Sequence, residues 1–256
     1  MSSLKGVFAA LQARPRLRLT LEAVAIYAIA WGIFYWRQFL TPNLPGTDAY
    51  YHIKIAWIYA TEGIPRDGFP WAQYSIWKDH FFDKEFGFHV LLIPFTFGDL
   101  ATGAKLASVT YGALVYPSFY LILRFSKVKH AWFWTAMFFA AGGYFGWRIN
   151  VPRPQILSMT IALWAAYVVF IRSWKGAALV GVIYALCYTA PLVIIVYALI
   201  AFVIWGAMDN EWDWRVIAAA TAGVFLGWLL HPHFPNNFRL VWIQLVDVLS
   251  NAWGVA

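Results

Sequence analysis

Long apolar runs, separated by short basic segments, constrain the fold of this chain more than any other feature. Hydrophobic residues make up 62% of its 256 residues and charged residues only 12%, about half of the charged share of a soluble domain. A soluble core of this size cannot bury so much apolar surface, whereas a bilayer accepts it. The sequence therefore predicts an all-α, polytopic transmembrane helix bundle that forms one module over residues 1–256.

The positions of the basic residues predict the orientation of this bundle. A net charge of +7 would also suit nucleic-acid binding, but the cations cluster between the apolar runs, as in cytosolic loops. We therefore expect no nucleic-acid partner, and a basic tail over residues 1–19 that lies in the cytosol before a retained signal-anchor. Cys187 is the single cysteine, which excludes an intrachain disulfide and a cysteine-rich metal site.

About seven spans are predicted, and the fifth and sixth come from one long apolar run. As a single helix, residues 176–206 would extend ~46 Å, which exceeds the ~30 Å hydrocarbon core. Pro191 interrupts the run, so we expect a break near 189–191. A single tilted helix would instead give six spans and place "HPHFPNN" in the cytosol. The predicted spans cover about 20–40, 101–124, 131–147, 156–171, two parts of 176–206, and 215–230, and residues 231–256 follow as an outer segment.

A long outer loop over residues 41–100 holds seven of the 12 acidic residues. Within it, "DAYYHIKIAWIYATEG" predicts an amphipathic helix that ends at Gly63. A second segment, "FGFHVLLIPFTFG", predicts a helix that is too short and too interrupted by proline to span a bilayer. Both helices are expected to lie at the membrane interface.

Two candidate catalytic residues begin the first of these helices. His52 follows Asp48 by four residues, so a helix places both side chains on one face. A carboxylate beside an imidazole suits a general base or two ligands of one metal ion. The alternative is that Asp48 caps the N-terminus of the helix.

Glu85 and His89 repeat this four-residue spacing, and Asp83 precedes them. With Asp48, Glu85 and His89 would offer oxygen and nitrogen ligands to Mg²⁺ or Mn²⁺. The alternative is a solvated charged turn whose acids begin the next helix, where they favour the helix dipole.

Arg148 and Arg153 break the positive-inside pattern, because the predicted topology places both on the outer side. Guanidinium groups bind phosphate oxygens well, so these two residues and Lys54 are candidate phosphate ligands. Lys105 is a further, weaker candidate. Contact with lipid headgroups is the alternative for all of these cations.

Five further polar residues are candidates to line a cavity at the outer ends of the spans. Two of them belong to "HPHFPNN", for which the alternative is a rigid turn at the exit of a span. The five residues are Asp83, Asn150, Gln155, His231 and Asn237.

The acid that follows the first span, in "TDAYYH", resembles the first acidic motif of the GT-C membrane glycosyltransferases. The resemblance is nearest to the oligosaccharyltransferase catalytic-subunit branch. A long first outer loop, a short second one and a seventh span that ends in "HPHFPNN" are similar to the N-terminal seven-span module of that family. The resemblance implies inverting sugar transfer from a polyprenyl-phosphate carrier on the outer face, with Asp48 as a base or metal ligand.

The chain also departs from that pattern, and other functions stay open. Its second outer loop, "WRINVPRPQ", has no acidic pair, and the resemblance implies that the C-terminal half belongs either to a longer form of this chain or to a second membrane subunit. The alternatives are a non-catalytic scaffold subunit of a larger complex and a lipid-linked-sugar transporter. A transporter should carry ionisable groups inside its spans, and here most lie at the span ends. We expect a bacterial inner-membrane protein, in contact with membrane lipids, with its active side in the periplasm.

Overall fold

A computed structural model of the protein describes residues 14–66, 68–69, 71–141, 143–247 and 250. Within these residues the ordered elements are helices and no strand occurs, which confirms the all-α prediction. Most of the predicted basic tail, residues 1–13, lies outside the described residues. The same is true of residues 248–249 and 251–256 in the predicted C-terminal segment.

The described helices follow one another with short connections, apart from the 41–100 loop. Two 3₁₀ turns, Ile76–Lys78 and Ile93–Phe95, and a π-helical turn, Ile243–Asp247, accompany them. The α-helices are α1 (Pro15–Gln38), α2 (Asp48–Thr61), α3 (Phe86–Leu92), α4 (Leu100–Ala113), α5 (Val115–Phe125), α6 (Ala131–Ala140), α7 (Gly143–Arg148), α8 (Gln155–Phe170), α9 (Trp174–Cys187), α10 (Val193–Asp209), α11 (Arg215–Leu229) and α12 (Asn236–Trp242).

Two helical stretches of the described chain are long and apolar enough to cross a membrane. They are Pro15–Gln38 and the continuous stretch Leu100–Phe125, which joins α4 to α5. The remaining apolar helices have 10–17 residues, and a 15-residue helix extends only ~22 Å. These features support membrane association, and the number of seven spans stays a prediction. The first helix begins at Pro15, not at residue 20, so Arg18 belongs to this helix and not to the tail.

The long apolar run of 176–206 is divided in two, as predicted. Helix α9 ends at Cys187, and Tyr188 adopts an extended conformation with φ −148° and ψ 145°. Helix α10 begins at Val193, so Pro191 lies in the break. The predicted third span is also divided, into α6 and α7.

The exterior of the described helices is strongly apolar. In the most apolar window of α1 only 11% is buried within the protein. Many exposed large side chains on other helices are aliphatic or aromatic, which suits contact with lipid better than contact with water. On α9 to α11 they are Trp174, Leu179, Ile183, Val196, Leu199, Ile200, Val203, Ile204, Met208, Phe225, Leu226 and Leu229.

Helices α9 and α11 pack with their backbones in direct contact. A Cβ atom on Gly223 would lie 2.2 Å from the carbonyl oxygen of Ala178, and one on Gly181 would lie 2.9 Å from that of Ala220. Gly223 and Gly227 form a G-x-x-x-G pattern, which lets two apolar helices approach closely.

The 41–100 loop is folded and has its own apolar core. Ile55, Ile58 and Tyr59 of α2 are buried against Phe69 and Phe81. Helix α2 ends at Thr61 and is followed by Gly63 with φ +87°, which confirms the predicted helix and its end. Another side of α2 packs into the main core of the helices, so α2 is enclosed by protein on more than one side.

Ion pairs connect the helices at the end opposite the 41–100 loop. Arg172 pairs with Asp209 and Glu211, which joins the start of α9 to the end of α10. Asp213 pairs with Arg215. The acids of "MDNEWDWR" therefore have cationic partners at this end of the protein.

We expect Gly223→Ala to destabilise the protein, because the added methyl group would meet the backbone of α9. Overpacking of this kind costs about 1–3 kcal/mol, which thermal unfolding in detergent would detect as a lower melting temperature. Gly32→Ala is the matched control, since nothing lies within 4 Å of the added atom. It should leave stability unchanged or slightly raised. Equal melting temperatures for the two variants would contradict the close packing of α9 and α11.

Candidate functional site

An exposed ion pair joins the start of α2 to the loop between α7 and α8. Asp48 Oδ2 lies 3.1 Å from Arg153 Nη2, and the two side chains are 54% and 28% exposed. Thr47 is the N-cap residue of α2, and no side chain there accepts a capping hydrogen bond. The alternative interpretation of Asp48 as the helix cap is therefore wrong, and its carboxylate is directed to an arginine 105 positions along the chain (153 − 48).

Arg153 keeps one donor unused beside this pair. Its Nε atom is buried and has no hydrogen-bond partner in the described part of the chain. Gly46, with φ +81°, allows the close approach, since a Cβ atom there would lie 3.4 Å from Arg153 Nη2. A guanidinium group with a buried, unpaired N–H beside an exposed face is suited to an anionic ligand.

Behind the ion pair, three buried side chains form a hydrogen-bonded chain. His52 Nδ1 lies 2.8 Å from His89 Nε2, and His89 Nδ1 lies 2.6 Å from Asp83 Oδ2. Tyr59 donates its hydroxyl hydrogen to the same carboxylate oxygen at 2.6 Å. Asp83, His89 and His52 are 2%, 0% and 6% exposed. We call this arrangement the buried Asp83–His89–His52 chain.

The pKa values of the two ends of this chain are shifted in the direction that keeps Asp83 ionised and His52 neutral. Burial alone would raise the pKa of Asp83, but the neighbouring His89 and hydrogen bonds from His89, Tyr59 and Glu85 N–H lower it to about 2. Burial lowers the pKa of His52 to about 3, and the neighbouring His89 acts in the same direction. At neutral pH a carboxylate therefore anchors the chain and a neutral imidazole ends it.

Glu85 lies in the same buried region and has an unsatisfied oxygen. Burial raises the pKa of Glu85 to about 7; the charge of Asp83 adds to this and that of Lys84 opposes it. Lys84 Nζ lies 3.6 Å from Oε1, whereas Oε2 is buried with no partner in the described residues. Because Asp83 and Glu85 are 2% and 5% exposed, the alternative interpretation as a solvated charged turn is wrong.

The residues present do not fit the predicted Mg²⁺ or Mn²⁺ site. Among the described residues, no group of three or more His, Cys, Asp or Glu side chains is placed to hold a metal ion. Both ring nitrogens of His89 are engaged by Asp83 and His52, and Asp48 is paired with Arg153. The predicted ligand set of Asp48, Glu85 and His89 is therefore not assembled, and no step below passes through a metal.

The break between α9 and α10 borders this region, which the sequence alone did not indicate. A Cβ atom on Gly87 would lie 2.6 Å from Cys187 Sγ, so α3 packs against the end of α9. The charges of both Glu85 and Arg148 act on Tyr188. Asn150 Oδ1 and Gln155 Oε1 are also buried with no partner in the described chain, as expected of groups that face a polar ligand.

Tyr59 was also missed, although a sequence signal for it exists. It follows Asp48 by 11 residues, which is close to three full helical turns. Asp48, His52 and Tyr59 therefore share one face of α2.

The "HPHFPNN" segment lies beside the 41–100 loop and has a structural role. His233 Nε2 is 2.8 Å from the carbonyl oxygen of Pro65, and His233 Nδ1 accepts from Asp83 N–H at 3.5 Å. Asn237 donates to the carbonyl oxygen of Trp228 at 2.7 Å. His231 is buried and accepts from His233 N–H at 3.2 Å. These contacts fit the rigid-turn alternative and place the segment beside the loop, while Asn237 Oδ1 is buried with no hydrogen-bond partner among the described residues.

The two candidate lysines are not gathered with the arginines. Lys54 is exposed, with Nζ 3.4 Å from the ring centroid of Trp57. It follows His52 by two positions, so it points to a different face of α2. Lys105 is 3% exposed and donates to the carbonyl oxygens of Thr41 and Pro42 at 2.5 and 2.9 Å. It therefore fixes the start of the 41–100 loop.

Comparisons with known proteins give no information about the function of this chain. No protein-family model matches the chain, and no curated protein or solved structure matches it. The resemblance to GT-C enzymes rests on the motifs quoted above. The contacts of Asp48, Arg153 and the buried chain are an independent basis for a proposal.

We expect the free energy of unfolding of the wild-type protein to fall as the pH rises from about 5 to about 8. The free energy of unfolding of the Glu85→Gln variant should not show this fall. The pKa of Glu85 is about 7 in the folded protein and 4.5 ordinarily, so the folded state binds the proton more tightly. The stability contribution of Glu85 is complete below pH 4.5 and is lost as the pH rises through 7. The loss is on the order of a few kcal/mol.

Thermal unfolding of both proteins across this pH range would measure the difference. Glu62→Gln, at the exposed end of α2, is the control, and its curve should run parallel to that of the wild type. Parallel curves for wild type and Glu85→Gln would show that Glu85 titrates normally.

Proposed function

We propose that the protein is an integral-membrane glycosyltransferase of the GT-C type, or the N-terminal module of a split one. It would transfer a sugar from a polyprenyl-phosphate carrier on the non-cytosolic face. The observation that carries this proposal is the exposed ion pair between Asp48 and Arg153. It sets a carboxylate that can accept a proton beside a guanidinium group that can bind phosphate, at the mouth of a polar site.

The proposed membrane arrangement has seven spans, with the N-terminus in the cytosol of a bacterium. The spans are α1, α4 with α5, α6 with α7, α8, α9, α10 and α11. The break after Cys187 supports this count, as do the apolar exterior of the helices and the position of "HPHFPNN" beside the 41–100 loop. In this arrangement the site faces the periplasm and the paired charges around Arg172 face the cytosol.

Arg153 would bind the phosphate of the donor, with Arg148 near it. Charge-assisted hydrogen bonds from guanidinium groups stabilise the negative charge that grows on the departing phosphate. The side chain of Arg153 is 28% exposed, so the outer part of its guanidinium group can meet a phosphate. Arg148 approaches from the end of α7, where its charge reaches Tyr188.

The transfer step would be a single displacement at the anomeric carbon of the sugar. The acceptor heteroatom forms a bond to this carbon while the bond from the carbon to the phosphate oxygen breaks. The phosphate leaves with the bonding electron pair, and Asp48 takes the proton of the acceptor. Attack opposite the leaving group inverts the configuration at the anomeric carbon, as the resemblance implies.

A non-catalytic scaffold subunit is the second candidate, and the same ion pair favours it. A contact between Asp48 and Arg153 also fastens the start of α2 to the loop before α8, which is a structural task. The two candidates differ in whether the carboxylate is needed for turnover or for assembly. Activity measurements separate them.

We expect Asp48→Asn to abolish sugar transfer while the protein still folds. Loss of a general base lowers a rate by about 10²-fold or more. Transfer would be measured in proteoliposomes that contain a polyprenyl-phosphate-linked sugar, with melting temperature as the folding check. Glu62→Gln, one residue past the end of the same helix, is the control and should keep the wild-type rate.

Two outcomes would overturn the enzyme proposal. Asp48→Asn with an unchanged rate would exclude the carboxylate as the base. A wild-type protein that assembles with other membrane subunits, with no transfer by the protein or by the assembly, would support the scaffold.

The proposed topology predicts opposite labelling of two positions in sealed vesicles. With a membrane-impermeant thiol reagent, Asp48→Cys should react only from the non-cytosolic side and Lys129→Cys only from the cytosolic side. The unsubstituted protein is the control, because its Cys187 is buried. Labelling of position 48 from the cytosolic side would contradict both the topology and the enzyme proposal.

A further inference from the structure

The buried Asp83–His89–His52 chain lies next to the proposed reaction site but takes no part in the displacement described above. Its inner end is fully enclosed, since His89 and Asp83 are 0% and 2% exposed. Its outer end, His52, lies on the same face of α2 as Asp48. Arg153 is near enough for its charge to act on His52. The chain therefore connects a buried carboxylate to the edge of the site.

For a neutral His89, the hydrogen bonds in this chain determine which ring nitrogens carry hydrogen; a protonated His89 would donate through both nitrogens and leave the hydrogen of His52 on Nε2. An ionised carboxylate only accepts hydrogen bonds, so His89 Nδ1 must donate to Asp83 Oδ2. In a neutral imidazole the other nitrogen is then an acceptor, so His89 Nε2 accepts from His52 Nδ1. His52 Nε2 is left with a lone pair and no hydrogen.

The hydroxyl of Tyr59 and the backbone of Glu85 hold the carboxylate in this orientation. Tyr59 donates to Asp83 Oδ2, beside His89. Glu85 N–H donates to Asp83 Oδ1 at 3.0 Å. Both oxygens are therefore occupied by donors, and the carboxylate cannot turn without losing a buried hydrogen bond.

No hydrogen bond to Nε2 of His52 is formed by the described residues, and the side chain keeps 6% of its surface exposed. The unpaired nitrogen is a hydrogen-bond acceptor at the border of the site. A phosphate on Arg153 would carry its sugar next to this position, and sugar hydroxyl groups are hydrogen-bond donors.

We propose that Asp83, acting through His89, is a positioning residue that fixes the tautomer of His52, so that His52 Nε2 accepts a hydrogen bond from a hydroxyl group of the bound sugar. The tautomer assignment follows from the contacts within the chain together with a neutral His89, which is part of the proposal. The role toward the sugar rests on the proposed function. A hydroxyl-bearing sugar is thereby favoured over a deoxy analogue at the position that faces His52.

The effect of Asp83→Asn can be derived from the two kinds of donor around this side chain. The backbone N–H of Glu85 cannot reverse its role, so the amide oxygen must stay toward it. The amide NH₂ then faces His89 and Tyr59, both of which can turn into acceptors. His89 would carry its hydrogen on Nε2, His52 Nδ1 would accept it, and His52 Nε2 would become protonated and act as a donor.

Nitrogen NMR of the ¹⁵N-histidine-labelled protein in detergent tests this directly, without any substrate. His52→Gln identifies the signals of His52 among those of the six histidines. We expect an unprotonated Nε2 for His52 in the wild type and a protonated one in Asp83→Asn. Tyr59→Phe is the control, because it removes one donor to Asp83 but leaves the carboxylate, so His52 should keep its wild-type signals.

A protonated Nε2 in the wild type, or no change in Asp83→Asn at an unchanged melting temperature, would overturn the assignment. If Asp83→Asn proves unfolded, the tautomer assignment is still tested by the wild-type signals of His52 and by their retention in Tyr59→Phe. In the transfer assay, the tautomer change should lower the rate at least tenfold with the natural sugar. A normal NMR result with no transfer by the wild type would reject the proposed function and leave the tautomer assignment standing.

Discussion

The carboxylate of Asp83 is the interaction on which the arrangement of the site depends. It receives hydrogen bonds from Tyr59 of α2, His89 of α3 and the backbone of Glu85, while its own N–H reaches His233 beyond α11. An isolated buried charge costs several kcal/mol, and only well-placed partners offset that cost. The three segments are therefore fixed relative to one another by the need to satisfy a single charge.

This arrangement separates two kinds of acid by their surroundings. Asp48 is half exposed and its carboxylate pairs with the guanidinium group of Arg153, so it stays in contact with solvent. Asp83 is enclosed, and its pKa is held at about 2 by partners that belong to the fold. One carboxylate is suited to a reaction and the other to keeping neighbouring side chains in a defined state.

The sequence predicted the helices well, because apolar periodicity and glycine or proline signals are local. It placed the helix that ends near Gly63 and the break around Pro191, and it put Asp48 and His52 on one face. It did not predict that Arg153 would meet Asp48, since that contact joins two distant loops. Nor did it predict burial of Asp83 and Glu85, because a run of charges signals water unless distant segments cover it. The predicted metal ligands are likewise not gathered among the described residues, because spacing shows which side chains share a face, but not which of their atoms are already bonded.

The close contact between α9 and α11 has a mechanical consequence for the region around Tyr188. Two helices that touch through their backbones at Gly181 and Gly223 leave little freedom for sliding or rotation between them. The ring of Tyr188 stacks on that of Tyr184, with 5.8 Å between the ring centroids, and packs against the same apolar core. The break after Cys187 is therefore anchored to the rigid helix pair, which gives the polar region beside it a stationary wall.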